Sequence, residues 1–191
     1  MQGRPAIRLA VPGDLPLLPA VERQAAARFP PEDLPAGRHD ETTSMEELQQ
    51  ACATGWLWIA VDASQQPVGF LLAQPHDARS LHIREMDVLP AKGGRGTDTA
   101  LLDAVAGAAA ARGFRRLTLT TFSHLPWNGP FYERRGFRAM DASEHGAVIA
   151  DTLRQEAAAG LRHRIAMCKA LAGPTTGCAS PRSPGTPRTR A

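Results

Sequence analysis

Apolar positions recur along this chain with two different spacings, and the switches between them mark out its elements. Residues 6–10 predict a short strand. Asp14 then stands where it can cap a helix that carries Leu15, Leu17, Leu18, Val21 and Phe29 at roughly helical spacing, until Pro30 and Pro31 stop it. After a polar stretch, Ser44 followed by Glu46 and Glu47 opens a second helix through Leu48 to about Thr54. Residues 56–61 and 68–73 read as strands joined by a turn at DASQQP, which predicts a hairpin. A strand over 81–88, an alanine-rich helix over 99–112 ended by Gly113, and a β-branched strand over 117–122 come next. A short helix over 130–135 is closed by Gly136, and residues 137–140, a helix over 153–159 and residues 163–171 complete the pattern. Strands dominate early and alternate with helices later, so the expected form is a mixed α/β sheet with helices on both faces.

With 191 residues and 43% hydrophobic content, the chain suits one compact domain, expected over residues 1–172. Residues 173–191, rich in Pro, Ser, Thr and Gly, offer almost nothing to bury and are expected to form a disordered tail. The net charge of +3 is small and part of the basic surplus lies in that tail, so nucleic acid is not indicated as a partner. Three cysteines, Cys52, Cys168 and Cys178, lack CxxC spacing and read as reduced thiols. There is no apolar signal-peptide core and no run long enough for a membrane span. A soluble, cytoplasmic protein is the expectation. The six histidines lack ligand spacing, so no metal is expected; His124 lies nearest the chemistry described next.

The segment EMDVLPAKGGRGTDTALL, from Glu85 to Leu102, reads as a strand, a glycine-rich turn and the first turns of a helix. Such a turn aims backbone N–H groups and the positive end of a helix dipole at one spot, which suits a phosphate group. It contains no Walker A string, and it lacks the third glycine and the early position of a Rossmann fingerprint. Some thirty residues later comes LPWNGPFYERRGF, with Asn128 and, four residues on, Tyr132, the only tyrosine in the chain.

A phosphate-type turn followed by this Asn and Tyr resembles the GCN5-related N-acetyltransferase (GNAT) family. The resemblance spans roughly residues 5–172, and its specific part is 88–102 and 127–137. It implies a central mixed, mostly antiparallel sheet flanked by helices on both faces. It also implies acetyl-coenzyme A as cosubstrate, with direct transfer to a primary amine in a ternary complex and no acetylated enzyme.

Residue by residue, the resemblance makes Tyr132 the acid that protonates the departing thiolate, a role a phenol of pKa near 10 can fill. Glu85 becomes the base for the amine, with Asp87 open as an alternative. The coenzyme would lie against Met86, Asp87 and Val88, with the Val88 N–H on the thioester carbonyl, and against Asn128, Phe131 and Tyr132. Gly93, Gly94, Arg95, Gly96, Thr97, Asp98 and Thr99 would cradle its diphosphate. Two positions depart from the family's turn: Gly93 stands where Gln or Arg is usual, and Asp98 where a small residue is usual. The Asp98 charge is expected to weaken coenzyme binding by about 1 kcal/mol.

Strict alternation puts Ile83, Glu85 and Asp87 on one face of their strand, and the bulge usual in the family would shift that parity. Glu32, Asp33, Asp40, Glu41, Glu46 and Glu47 face only Arg38 in charge count between the first two helices, which predicts an acidic rim that attracts a small cationic amine. Two alternatives stay open: acetylation of protein N-termini or lysines, and a non-catalytic coenzyme-binding module. A homodimer is also left open.

Overall fold

The computed structural model describes residues 5–35 and 37–172; the tail expected over 173–191 lies outside the described residues. Seven strands form one sheet in the order β1-β2-β3-β4-β5-β7-β6. They are β1 (Ala6–Leu9), β2 (Leu57–Val61), β3 (Pro67–Pro75), β4 (Ser80–Val88), β5 (Arg116–Phe122), β6 (Arg138–Ala139) and β7 (Arg164–Ala170). Every neighbouring pair is antiparallel except β4 and β5, which are parallel. The expected mixed, mostly antiparallel sheet is therefore present. Among the described residues no helix is long and apolar enough to cross a membrane.

Both faces of the sheet are covered, which explains why β2 reads LWIAV, apolar at every position and buried at every position. On one face α3 (Thr97–Ala111) sets Leu101, Leu102 and Val105 against Trp58, Leu71, Leu81 and Leu119. Each of those three buried side chains contributes about 2 kcal/mol of hydrophobic stabilisation. On the other face α1 (Leu18–Ala26) and α2 (Met45–Thr54) press Leu18, Val21 and Leu48 onto Leu57, Ile59 and Phe70. Farther along that face α5 (Ala147–Ala158) places Ile149 on Ala166 and Cys168 of β7. The short α4 (Gly129–Glu133) follows β5.

Local chemistry sets most boundaries. Ser44 caps α2 through the Glu47 N–H (3.2 Å) while the Glu47 carboxylate accepts from the Ser44 N–H (3.3 Å), and Gly55 closes the helix in the left-handed region. Asp14 differs from its expected role. It lies inside a 3₁₀ segment, Pro12–Leu17, where its carboxylate accepts from the Val11 N–H (2.8 Å) and holds Arg8 at 2.8 and 3.0 Å. Pro16 lacks the N–H that an α-helix would need there, so the α-helical part starts only at Leu18 and stops at Ala26, short of Phe29. The last helix starts earlier than its apolar period implied, because Ile149 is its one buried residue and the amphipathic signal is thin.

The feature that positions the site is the β4–β5 ladder. It runs for three residue pairs, Ser80–Arg116, Leu81–Leu117 and His82–Thr118, and stops there although β4 continues to Val88 and β5 to Phe122. The far edges stay paired, β4 with β3 and β5 with β7, so the two strands part like a wedge within an otherwise continuous sheet. A register shift in β4 coincides with the parting: Leu72 pairs with Glu85 and Ala73 with Ile83, leaving Arg84 as the extra, bulged residue.

Replacing Ser44 with Ala removes the acceptor for the Glu47 N–H. Stability should fall by about 1 kcal/mol, measured as a lower urea midpoint with an unchanged slope.

Candidate active site

The bulge at Arg84 decides which side chains reach the wedge. Leu81 and Ile83 belong to the core beneath α3, whereas beyond the bulge Glu85 and Asp87 stand opposite Leu72 and Phe70 and share the α1 face with those residues. The expected common face for Ile83, Glu85 and Asp87 is thus broken between Ile83 and Glu85. The two acids end in a cavity of about 570 Å³ bounded by α1, the segment leading into α2, β4, β5, α5 and β7. Because the strands have parted, this cavity passes through the sheet. Glu85, Asp87, Thr120 and Phe122 line it from one face, and Met86, Thr121, Asn128 and Tyr132 from the other.

Tyr132, on α4, is buried, with its ring edge-on to Phe131 and Phe137. Burial, and then the nearby charges of Glu85, Asp87 and Asp98, push its phenol well above the ordinary value of 10. The phenol is therefore held protonated more firmly than its ordinary pKa implied. Gly129 lets α4 sit this close: a Cβ there would stand 2.8 Å from the Ser123 carbonyl oxygen and 3.1 Å from that of Phe122. Asn128 precedes the helix, and its side chain does not cap it. Its Nδ2 donates to Thr121 Oγ1 (2.9 Å), while its Oδ1 is buried with no donor. A buried acceptor without a partner costs free energy that a ligand N–H can recover.

The glycine-rich turn has the shape the sequence implied. Lys92 N–H and Gly93 N–H both donate to the Leu89 carbonyl (2.8 and 3.0 Å), and Gly94 and Gly96 take φ of 68° and 86°. Gly96 is the N-cap of α3, so the helix begins at Thr97 and aims its free N–H groups back over the turn. Asp98 Oδ2 accepts from the Gly94 N–H at 3.4 Å, which occupies one donor of the cradle. Thr97 Oγ1 donates to the Lys92 carbonyl (3.3 Å), and Thr99 Oγ1 accepts from Arg135 Nε and Nη2 (2.9 and 2.7 Å). Both threonine hydroxyls thus have partners within the protein. Val88 is buried in the core under α3 and does not line the cavity, and Phe131 lies under the Arg135 guanidinium at 5.2 Å.

Two cations beside this turn were not singled out from sequence. Arg135 is anchored on the first turn of α3 by Thr99. Arg28, just past α1, lies over the Trp127 ring at 4.7 Å, and its Nη1 is 3.9 Å from where a Gly93 Cβ would be. It stands beside the position where the family's turn usually carries Gln or Arg.

The α1 side of the cavity is acidic. Oxygens of Glu22, Glu85 and Asp87 all lie within 4.8 Å of one another. Glu22 accepts from Thr43 N–H (3.0 and 2.9 Å) and Thr43 Oγ1 (3.2 Å), yet burial raises its pKa above the usual carboxylate value. Glu85 is pushed up to about 7 by burial and by the Glu22 charge, against the pull of Arg164. Asp87, 9% exposed with an Oδ2 that has no hydrogen-bond partner, is held far above its ordinary value by burial and by Glu85 and Glu22. Glu22 was missed, although its signal was legible: Leu18, Val21, Glu22 and Ala25 share the buried stripe of α1, an acid where the helical period demands an apolar residue.

Opposite the acids, Arg164 grips Glu156 through Nε (3.0 Å) and Nη2 (2.7 Å), with Thr120 Oγ1 donating to the same carboxylate (2.7 Å). Of the expected acidic rim, Glu41 and Glu47 line the cavity with Arg38. Glu32 and Asp33 belong to a neighbouring cavity of about 410 Å³, where His124 Nε2 meets Asp33 at 3.1 Å; Asp40 and Glu46 line neither. Cys52 donates to the Ala10 carbonyl (3.3 Å), and Cys168 is buried, its thiol pushed up by burial. Neither cysteine lines the cavity.

The described fold aligns with many solved structures. N-acetylglutamate synthase from Neisseria gonorrhoeae, solved with coenzyme A and N-acetyl-glutamate, matches with a TM-score of 0.69 and 19% identity over 90% of this chain. The chain covers only 36% of that synthase's length. PaiA N-acetyltransferase from Thermoplasma acidophilum, solved with coenzyme A, matches at 0.65 and 17% identity over 86% of this chain and 98% of its own. A phosphinothricin acetyltransferase from Sinorhizobium meliloti, solved with acetyl-coenzyme A, matches at 0.64 and 19% identity over 91% of this chain and 92% of its own. At these identities the likeness establishes the fold. The sequence itself matches the acetyltransferase (GNAT) family profile over residues 21–137, which takes in the wedge, the turn and α4. With more than half its length in that match, the chain belongs to the acetyltransferase (GNAT) family.

Proposed function

We propose that the chain moves the acetyl group of acetyl-coenzyme A to the primary amine of a small molecule, by direct attack within a ternary complex. One observation supports this most: the parted strands join a buried phenol on one face of the sheet to a carboxylate of pKa near 7 on the other, through a single cavity. The turn over 93–99, with Arg28 and Arg135 beside it, suits the diphosphate. Asn128 Oδ1 offers an acceptor for an amide N–H of the pantetheine arm, and the open edge of β4 offers backbone donors near Val88 for the thioester carbonyl.

In this reading the amine enters from the α1 side as an ammonium. Glu85 takes one proton from it, a task that a carboxylate titrating near 7 performs far better than one near 4.5. The freed nitrogen attacks the thioester carbonyl carbon to form the new C–N bond; as the C–S bond breaks, Tyr132 gives its proton to the departing sulfur, and the second proton shed by the nitrogen on becoming an amide restores the Tyr132 phenol. Glu85 returns its proton to solvent. The raised pKa of Tyr132 keeps that proton in place until thiolate develops. Neither of the described cysteines, Cys52 and Cys168, lines the cavity, which favours direct transfer over an acetylated enzyme.

Tyr132→Phe should lower kcat by about a hundredfold with coenzyme affinity within twofold, measured by thiol release and calorimetry. Wild-type kcat/KM should rise with pH through a midpoint near 7, and Glu85→Gln should remove that limb; an unchanged profile refutes Glu85 as the base. The same substitution should alter stability in the opposite sense. Between about pH 4.5 and 7 the folded chain keeps a Glu85 proton that the unfolded chain has lost, so folding weakens as pH rises through that window. Glu85→Gln should therefore be more stable than wild type at pH 8, by about 3 kcal/mol, with the gain shrinking toward pH 5 in thermal melts.

Asp98 is proposed to compete with the diphosphate for the Gly94 N–H and to repel it. Asp98→Gly should tighten coenzyme A binding about fivefold in calorimetry.

A further inference from the structure

The charges lining the cavity are not balanced, and their pairing indicates what the acceptor carries. Six acids and three arginines contribute to its walls. Each arginine has its own acid: Arg38 pairs with Glu41 at 3.0 Å, Arg84 with Glu47 at 3.2 Å, and Arg164 with Glu156 at 2.7 Å. Glu22, Glu85 and Asp87 are left without a cation of their own among the lining residues. The cavity therefore holds no uncommitted arginine for a substrate carboxylate and three acids in want of positive charge.

The geometry of the three is also specific. Three acceptors placed about 2.8 Å from a tetrahedral nitrogen stand about 4.6 Å apart, and the oxygens of Glu22, Glu85 and Asp87 fall within 4.8 Å of one another. An –NH₃⁺ group has three donors and no acceptor, so it can serve all three carboxylates at once. Asp87 Oδ2, enclosed and without a donor, marks the unfilled position of that arrangement. Around the acids, Ala26, Phe29, Leu34, Ala159 and Leu161 supply apolar wall suited to methylene groups.

We propose that the acceptor is an alkyl amine without a carboxylate, its ammonium seated on Glu22, Glu85 and Asp87 beside the parted strands. This rests on the amine-acetylation reading above and narrows it. An amino acid would set its carboxylate against a wall whose arginines are already neutralised and whose remaining charges repel it.

Matched pairs that differ only by the carboxylate test the idea: cadaverine against lysine and putrescine against ornithine, with acetyl-coenzyme A and thiol release as the readout. Each diamine should exceed its amino acid in kcat/KM by at least thirtyfold. Glu47→Gln should narrow the cadaverine-to-lysine ratio about fivefold, because Gln preserves the helix cap while releasing Arg84 to meet a carboxylate. Glu22→Gln should weaken cadaverine more than tenfold in KM. If lysine or ornithine turns over as well as its diamine, this inference is overturned and the amine-acetylation reading stands. If thiol release occurs with none of the four although calorimetry shows acetyl-coenzyme A bound, both are overturned.

Discussion

The parting of β4 from β5 after three residue pairs is the constraint on which the rest of this molecule depends. A parallel ladder in the middle of a sheet ordinarily continues to the ends of its strands, because every backbone group abandoned in the interior costs free energy. Here the cost is tolerated because the abandoned edges face a cavity that runs through the sheet. The bulge at Arg84 performs two tasks at the same point. It bends β4 away from its neighbour, and it transfers the following acids from the core face to the open face. Had the strand kept strict alternation, Glu85 and Asp87 would lie beneath α3 with Ile83, among apolar residues.

Two opposed kinds of packing meet at the wedge. The α3 face is apolar and close-packed, and it fixes the glycine-rich turn and α4 against a rigid background. The α1 face keeps oxygens of three acids, Glu22, Glu85 and Asp87, within 4.8 Å of one another, at a standing cost to folding. Burial raises all three pKa values, reinforced at Glu85 by the Glu22 charge and at Asp87 by Glu85 and Glu22, so the protein is least favoured by these groups where they are most ionised. Residues that carry function commonly oppose stability in this way, and the strain is absorbed by the two apolar layers on either side of the sheet.

Much of the fold could be read from the chain. The hairpin of β2 and β3, the box at Ser44 and Glu47, and the glycine turns that close α2 and open α3 are short-range chemistry, decided within four or five residues. Less legible were elements whose local signals conflict. Prolines at 12, 16 and 19 produced a 3₁₀ entry to α1 that periodicity could not distinguish from α-helix, and α5 buries too little to declare its start. In the candidate site the turn, Asn128 and Tyr132 stood out because their spacing is local. Glu22, Arg28, Arg135, Glu156 and Arg164 come from four separate segments and had no common sequence signal.

What the sequence determined by itself was the set of elements, the phosphate-type turn and the lone tyrosine, because each is specified by nearest neighbours along the chain. Tertiary structure alone decided where the acids point, which arginines they neutralise and which orphaned polar atoms face the opening. Those outcomes follow from a one-residue slip between two strands and from the packing of helices distant in sequence, and a charge has no pKa until its surroundings are assembled.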